Sequence, residues 1–355
     1  MAFLRNMPRA RAAGAALIGA ALLAIGTTEA GAQSASDFYK GKTLRLIVGS
    51  GEASGVDVLG RIVGRHLADF IPGKPTVVVN NMAQPESIAA ANHVYNVAEK
   101  DGLTIGAGSA GLFSRAISQP NIRFDLDKFT WLANLYNATV IFWMRTDFPC
   151  QTLEALKSCK QPLKFGATAR GSTGYGLAPE LLKDAFGLNV DIIYGYKDSA
   201  ISLALEQNEI QASGGDLIGF MSGRPLQFLE EGKVKILVQI AGRKSPELEH
   251  YHVPWVMDVI PEDKKNLFAM VNPIIDMARP YYAPPGIPAD RAKVLRDAFA
   301  KMAKDPAFNE EVTRIARIHA THLGGEEMTP AIHAMLNQPP EVKEKVIGLL
   351  RSNAK

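Results

Sequence analysis

Three short segments rich in glycine and serine are candidates for binding an anion through the backbone. Each follows an apolar run: GSGEAS at 49–54, AGSAG at 107–111 and ARGSTGYG at 169–176. Turns of this composition between a strand and a helix leave backbone N–H groups free, and the N-terminus of the following helix favours negative charge. They predict a site for a phosphate, an oxyanion or a small anionic solute.

Side chains in these turns add further donors. Arg170 supplies a guanidinium that can pair with a carboxylate through two parallel hydrogen bonds. Glycine and serine are common in turns of every kind, so a single turn of this type carries little information. Three of them in one chain favour a binding site, with hydroxyl donors from Ser50, Ser54, Ser109, Ser172 and Thr173.

Two catalytic or cofactor-binding interpretations fit the same residues less well. Gly49, Gly51 and Gly55 approximate the G-x-G-x-x-G fingerprint of dinucleotide sites, but the third glycine is one residue late and TVVVNN ends without an acidic residue for a ribose. The AGSAG segment nearly matches G-x-S-x-G, and His319 and His322 lie downstream, but no HGGG-type oxyanion motif is present. A serine hydrolase using Ser109 remains the alternative from another functional class.

The elements that must position these turns follow an α/β pattern. Apolar runs at 43–49, 76–81 and 103–108 alternate with helical periodicities at 56–71 and 87–98. This order predicts a mostly parallel sheet with helices on its faces. Because ligands bind where the carboxyl ends of strands meet loops, the glycine-rich turns are expected on one side of their sheets.

The α/β pattern is repeated from about residue 139, which predicts a second lobe of the same class. The predicted strands of this half are 139–144, 163–168, 190–196 and 234–241. The predicted helices are 152–159, 173–187, 200–207, 289–304, 307–319 and a tail helix after Pro340.

The N-terminus is predicted to be a cleavable secretory signal peptide. It begins with Arg5, Arg9 and Arg11, continues with an apolar stretch at 12–25 and ends in Ala30-Gly31-Ala32, an A-x-A cleavage pattern. The apolar stretch is too short to span a bilayer. Cleavage after Ala32 leaves residues 33–355, a length that suggests two domains.

Charge and cysteine content exclude several classes of function. The formal net charge is +3 without a basic stripe, so a nucleic-acid partner is not expected. The chain has two cysteines, Cys150 and Cys159. Export favours a disulfide that would staple one helical turn, with two unpaired thiols as the alternative. Neither their spacing nor a nearby histidine supports a metal site.

Several segments, in order, match one family of transport proteins. They are KTLRLIVGSGEASGVDVLGRIV at 42–63, KDGLTIGAGS at 100–109, KFGATARGSTGYGLAPELL at 164–182 and IYGYKDSAISLAL at 193–205. The chain resembles the substrate-binding proteins of tripartite tricarboxylate transporters, the Bug family, over about residues 37–325.

The resemblance implies a two-lobed α/β periplasmic binding protein with the ligand in a cleft between the lobes. It implies one lobe at 33–140 plus 268–355 and another at 141–267. It further implies a monomer that captures a small organic acid and delivers it to membrane transporter subunits, with no catalytic step, cofactor or metal. A periplasmic sensor that docks to a signalling partner is the alternative within this fold.

The family's ligand contacts transfer to three turns and one acidic residue. They are Ser50, Gly51, Ala53 and Ser54 in the first turn, Ser109, the segment Arg170, Gly171, Ser172 and Thr173, and Asp216, which some members use for a ligand amine. The chain departs from the family pattern at Glu52, Pro85, Glu86 and Tyr175. These departures leave a cationic, aromatic or larger acidic solute as an alternative ligand.

Overall fold

The structure is a computed structural model that describes residues 35–82, 87–119, 122–168 and 176–351. The predicted signal peptide lies outside these residues, and so does the arginine-bearing part of the third glycine-rich turn. Within the described residues the strands are β1 Thr43–Val48, β2 Thr76–Asn81, β3 Thr104–Ala107, β4 Thr130–Asn134, β5 Val140–Arg145, β6 Leu163–Gly166, β7 Val190–Ile193, β8 Ala212–Asp216, β9 Val234–Ile240, β10 Pro280–Ala283 and β11 Leu323–Gly324.

The α-helices lie between these strands and after them. They are α1 Ala35–Phe38, α2 Gly55–Phe70, α3 Ile88–Asn96, α4 Gly111–Ser118, α5 Leu153–Lys157, α6 Ala178–Phe186, α7 Asp198–Glu206, α8 Leu217–Met221, α9 Arg224–Glu230, α10 Val256–Val259, α11 Lys265–Asp276, α12 Ala289–Met302, α13 Pro306–Glu311, α14 Gly325–Leu336 and α15 Pro340–Arg351.

The strands form two mixed sheets. The first has the order β11-β4-β10-β3-β1-β2 and the second the order β7-β6-β8-β5-β9. The β1–β2, β1–β3, β6–β7 and β6–β8 pairs are parallel, as expected for β-α-β units. The predicted α/β class is confirmed, but the sheets are mixed and not mostly parallel as predicted, because the β5 and β10 strands pair antiparallel with their neighbours.

Antiparallel pairing begins where the chain passes from one sheet to the other. β5 follows β4 after only five residues, so it starts beside the carboxyl ends of the second sheet's parallel strands and runs against β8. β10 returns to the first sheet in the same way and pairs antiparallel with β3 and β4. The carboxyl ends of β3, β4 and β8 therefore lie near the two connecting segments.

A buried asparagine joins the two connections between the sheets. The Asn134 side chain is fully buried at the end of β4. Its Nδ2 lies 2.9 Å from the carbonyl oxygen of Tyr136 on one connection and 3.0 Å from that of Asp276 on the other. Its Oδ1 accepts a hydrogen bond from the backbone N–H of Arg279 at 2.9 Å. One amide group thus fixes both connections, since every bond it makes replaces one to water.

The apolar pattern of the sequence accounts for the core. On α2 the buried side chains recur at helical spacing and face β1 and β2: Val56, Leu59, Ile62, Val63 and Leu67. An aromatic cluster is formed by Phe129, Trp131 on β4 and Tyr282 on β10, with ring centroids 4.8–5.7 Å apart. Gly106 is required here, because a Cβ at this position would lie 2.3 Å from the Tyr282 ring.

The structure corrects one predicted helix and adds elements that the pattern did not predict. The helix predicted at 307–319 is wrong in its second half: α13 ends at Glu311, a short π-helical turn follows, and Arg317 turns the chain with φ 57°. β4, β8, β10 and β11 were not predicted, because they are short or rich in small residues.

The two cysteines form a disulfide bond in the structure. The bridge encloses α5, whose N-cap is Thr152, and its partners are nine residues apart. It therefore links only neighbouring turns of the second sheet's outer layer.

We expect a Cys150→Ser/Cys159→Ser double variant to lose about 2–3 kcal/mol of unfolding free energy, because the bridge restricts a short loop in the unfolded chain. Urea unfolding of both proteins measures this loss, and the parent unfolded in the presence of a thiol reductant, which keeps both side chains but opens the bridge, is the control for lost packing. Equal stability of the double variant and the parent would contradict the expectation.

Candidate ligand-binding site

The first glycine-rich turn is built around the N-cap of α2. The Ser54 Oγ accepts a hydrogen bond from the Asp57 N–H at 3.2 Å and donates one to the Ser50 Oγ at 2.6 Å. Ser54 is thus an N-cap, the role its position before an apolar helix favours. The N–H groups of Gly55 and Val56 have no hydrogen-bond partner in the described part of the chain. The first turn of α2, in which Gly55 is exposed and Val56 is buried, therefore presents free donors.

A buried carboxylate fixes the shape of this turn. Asp57 is 2% exposed and accepts hydrogen bonds from the Ala53 N–H at 2.8 Å, Arg61 Nε at 3.0 Å and Asn81 Nδ2 at 2.7 Å. Burial acts to raise the pKa of Asp57, but hydrogen bonds from Arg61, Asn81 and Ala53 outweigh it and hold that pKa below its usual value. The Ala53 N–H is consequently already occupied.

The second and first turns are joined by a serine that sequence reasoning missed. Ser87 is fully buried, and its Oγ donates to the Gly49 carbonyl oxygen at 2.9 Å. The Ser87 Oγ also accepts a hydrogen bond from the Ser109 N–H at 3.1 Å and lies 3.4 Å from the Ser109 Oγ. A serine directly before the apolar run of α3 is a usual N-cap signal, which could have identified it.

Ser109 makes no hydrogen bond to a histidine in the described part of the chain. The Ser109 N–H and hydroxyl both contact the Ser87 Oγ. His319 lines a cavity of about 300 Å³ together with Tyr136 and Glu247. The predicted order of a catalytic triad is therefore not matched by contact between these residues.

Asp216 lies on the other sheet, at the end of β8. Both of its carboxylate oxygens lie 2.7 Å from the Tyr136 hydroxyl, and one accepts from the Ile218 N–H at 3.3 Å. Burial raises the pKa of Asp216 despite these hydrogen bonds. Asp216 borders the cavity that His319 also lines and a second cavity of about 350 Å³ that contains Trp143 and Phe220.

Arg279 lies between Tyr136 and the start of α2, and it was not singled out from the sequence. Its guanidinium carbon lies 5.8 Å from the centroid of the Tyr136 ring, and Nη1 donates to the Ala278 carbonyl oxygen at 2.7 Å. Its Nη2 approaches the start of α2, 3.0 Å from where a Cβ on Gly55 would lie. Nε is buried and has no hydrogen-bond partner among the described residues. A lone arginine within the apolar MARPYYA stretch is the sequence signal for this position.

The structure thus gathers part of the predicted set. Ser50, Gly51, Ala53 and Ser54 share one turn, and Ser109 is linked to it through Ser87. Asp216 faces the connection between the sheets beside Tyr136. Arg170, Gly171, Ser172 and Thr173 lie outside the described residues, and contact of any of these residues with a ligand stays a prediction.

Within the described residues, no group of three or more histidine, cysteine, aspartate or glutamate side chains is arranged to bind a metal. The helices of the described ranges include none with the length and apolar character needed to cross a bilayer.

We expect Asp57→Asn to destabilise the protein by about 1–3 kcal/mol at neutral pH, the range for hydrogen bonds to a charged group. Because folding lowers the pKa of Asp57, its stabilisation is present above the unfolded pKa and is lost as the pH falls through the folded value. The difference between variant and parent should be constant above about pH 5 and shrink below about pH 4. Urea unfolding across this range measures it. Asp69→Asn, which removes an exposed pair with Lys74, is the control and should change little.

We expect Ser87→Ala to cost about 1–3 kcal/mol, because it leaves the Gly49 carbonyl and the Ser109 N–H without their partner in a buried place. Ser109→Ala is the matched control and should cost less, since its hydroxyl makes only the 3.4 Å contact. Chemical denaturation of the three proteins tests this, and equal losses for both variants would show that Ser87 does not join the turns.

Known proteins of related sequence and fold show which family this chain is similar to. The model of the tripartite tricarboxylate transporter family receptor (TctC) matches residues 63–317. No curated protein sequence matches. Among solved structures, a ligand-free TctC solute-binding protein from Polaromonas is similar with a TM-score of 0.70 at 19% identity, covering 88% of this chain and 99% of that one.

Two ligand-bound structures share the fold at similar distance. MatC from Rhodopseudomonas palustris with bound malate has a TM-score of 0.52 at 19% identity, covering 87% of this chain and 99% of its own. A second R. palustris protein, with adipate, has a TM-score of 0.55 at 18% identity, covering 86% and 97%. The family model spans well over half of the sequence, and the chain belongs to the tripartite tricarboxylate transporter receptor (TctC) family.

Proposed function

We propose that this protein is a periplasmic receptor that captures a small organic acid and delivers it to the membrane subunits of a tripartite tricarboxylate-type transporter. Its family consists of periplasmic solute-binding receptors and is not an enzyme family. Within that class, the free N–H groups at the start of α2 carry the proposal of an acidic ligand. A helix N-terminus with unpaired donors stabilises an anion through both hydrogen bonds and the helix dipole.

Relatives support the carboxylate as the ligand group. Solved structures of the same fold contain malate and adipate, both dicarboxylates. In this chain Glu52 is exposed to solvent. Water and salt therefore screen its negative charge, which is compatible with an acid at the start of the helix.

Capture is non-covalent and depends on the two lobes, for which we propose the bounds 33–140 plus 268–355 and 141–267. The composition of the two sheets supports these bounds, since β1–β4, β10 and β11 form one and β5–β9 the other. Placement of the ligand between them buries its polar groups against fixed donors, so any unpaired donor is penalised. The protein acts as a monomer, without a catalytic step, after removal of residues 1–32.

A melting-temperature screen tests the ligand class. The chain is produced with its own leader, recovered from the periplasm, unfolded and refolded under oxidising conditions to remove any bound solute. Malate, adipate, citrate and benzoate form the acidic panel. Adipamide is the neutral match for adipate, and diaminohexane is the cationic one.

A ligand present at about 100 times its dissociation constant adds roughly 2.7 kcal/mol. In a chain of this size that raises the melting temperature by several degrees. We expect this shift for at least one acid and for neither adipamide nor diaminohexane. A shift with the amine alone would contradict the proposal, and so would turnover of a chromogenic ester by the purified protein. Mass spectrometry of the recovered chain tests whether it begins at Gln33.

A further inference from the structure

Arg279 is an incompletely paired cation beside the proposed binding turn. Its backbone is held by Asn134, and its Nη1 is used by the Ala278 carbonyl. The side chain as a whole keeps some exposure, while the guanidinium lies deep and its Nε is buried. Neither Nε nor Nη2 has a hydrogen-bond partner in the described part of the chain. Because an arginine stays protonated, such burial is costly without a compensating anion.

No carboxylate of the described residues compensates this charge by direct pairing. Asp216 attracts the Arg279 guanidinium electrostatically, but its hydrogen bonds go to Tyr136 and Ile218, and the two side chains form no ion pair. The Tyr136 ring lies beside the guanidinium while its hydroxyl contacts Asp216. Tyr136 therefore binds the carboxylate of Asp216, and the edge of the Arg279 guanidinium that carries Nε and Nη2 stays unpaired among the described residues.

The unpaired edge faces another positive group. Nη2 approaches Gly55, the first residue of the sixteen-residue helix α2, whose N–H and that of Val56 are free. The positive end of a helix dipole and a guanidinium thus lie together, and the buried carboxylate of this turn, Asp57, is already bound by Arg61 and Asn81. An anion in this place would bind to both, and their mutual repulsion would be relieved.

The geometry points to a specific role. We propose that Arg279 and the first turn of α2 together bind one carboxylate of the ligand, with Arg279 as the charge-pairing residue that selects acids over their neutral analogues. This inference rests on the proposed receptor function and adds the residue that determines its specificity. A carboxylate fits because its two oxygens can accept from Nη2 and from a helix N–H at once.

Nuclear magnetic resonance of the wild-type protein tests the anion site without knowledge of the natural ligand. The Arg279 Nε–H signal is assigned by its loss in Arg279→Gln. Formate is the probe, because it is a carboxylate with no further group that needs the rest of the pocket. We expect formate to shift this signal saturably in the millimolar range, and formamide to leave it unchanged. The Nε–H of Arg224, an exposed arginine paired with Glu206, is the control. An Arg279 signal that follows formate no more than Arg224 does would overturn the inference.

Binding of adipate provides the second arm. We expect Arg279→Gln to weaken the affinity for adipate at least tenfold, the effect of losing a hydrogen bond to a charged group. Arg279→Lys should keep part of the affinity, and Arg224→Gln should bind adipate as tightly as the parent. Unchanged adipate affinity in a folded Arg279→Gln protein would overturn the role of Arg279 and leave the receptor function intact. If the acid panel fails altogether, the formate titration still decides whether Arg279 is an anion site.

Discussion

The amide of Asn134 is the constraint on which the arrangement of the two sheets depends. It lies where the chain leaves the first sheet and binds backbone groups on both connections. A buried amide has few acceptable states, because each unpaired atom would cost free energy. The positions of Tyr136 and Arg279 follow directly, since each is on a segment that Asn134 holds. Their contacts with Asp216 and with the start of α2 are consequences of that single side chain.

A second group of polar residues, centred on Asp57, gives the first turn its shape. Its role differs from that of Arg279. Asp57 is buried and accepts hydrogen bonds from Ala53 in the turn, Arg61 in α2 and Asn81 on β2, so it serves the structure of the turn. Arg279 has the opposite character, with donors that the described chain does not satisfy. The contrast separates residues that build the site from those available to a solute. Ser54 caps α2 and bonds to Ser50, and its predicted contact with the ligand stays a prediction.

The sequence was most informative where a periodic apolar pattern exists. β1, β2 and α2 were predicted from such patterns, and the short segments shared with the receptor family indicated the fold, while the location of the site stays a prediction. β8 was missed because ASGGD contains no strand-like residues, although it is held on both sides by β5 and β6. Ser87 and Arg279 were missed for another reason. Ser87 bonds to Ser109, 22 residues away, and the backbone of Arg279 is held by Asn134, 145 residues away, so only the folded chain brings them to the turns.

The bridge between Cys150 and Cys159 has a consequence for the order of events during export. Its two ends are nine residues apart, and a loop of about this length closes within roughly 100 ns. In the proposed export, this loop can therefore close once both cysteines reach an oxidising compartment, without contacts to distant strands such as β9 and β10. With two cysteines in the whole chain, only one intramolecular pairing exists. The bridge needs an oxidant to form, but there is no wrong intramolecular bridge for an isomerase to correct.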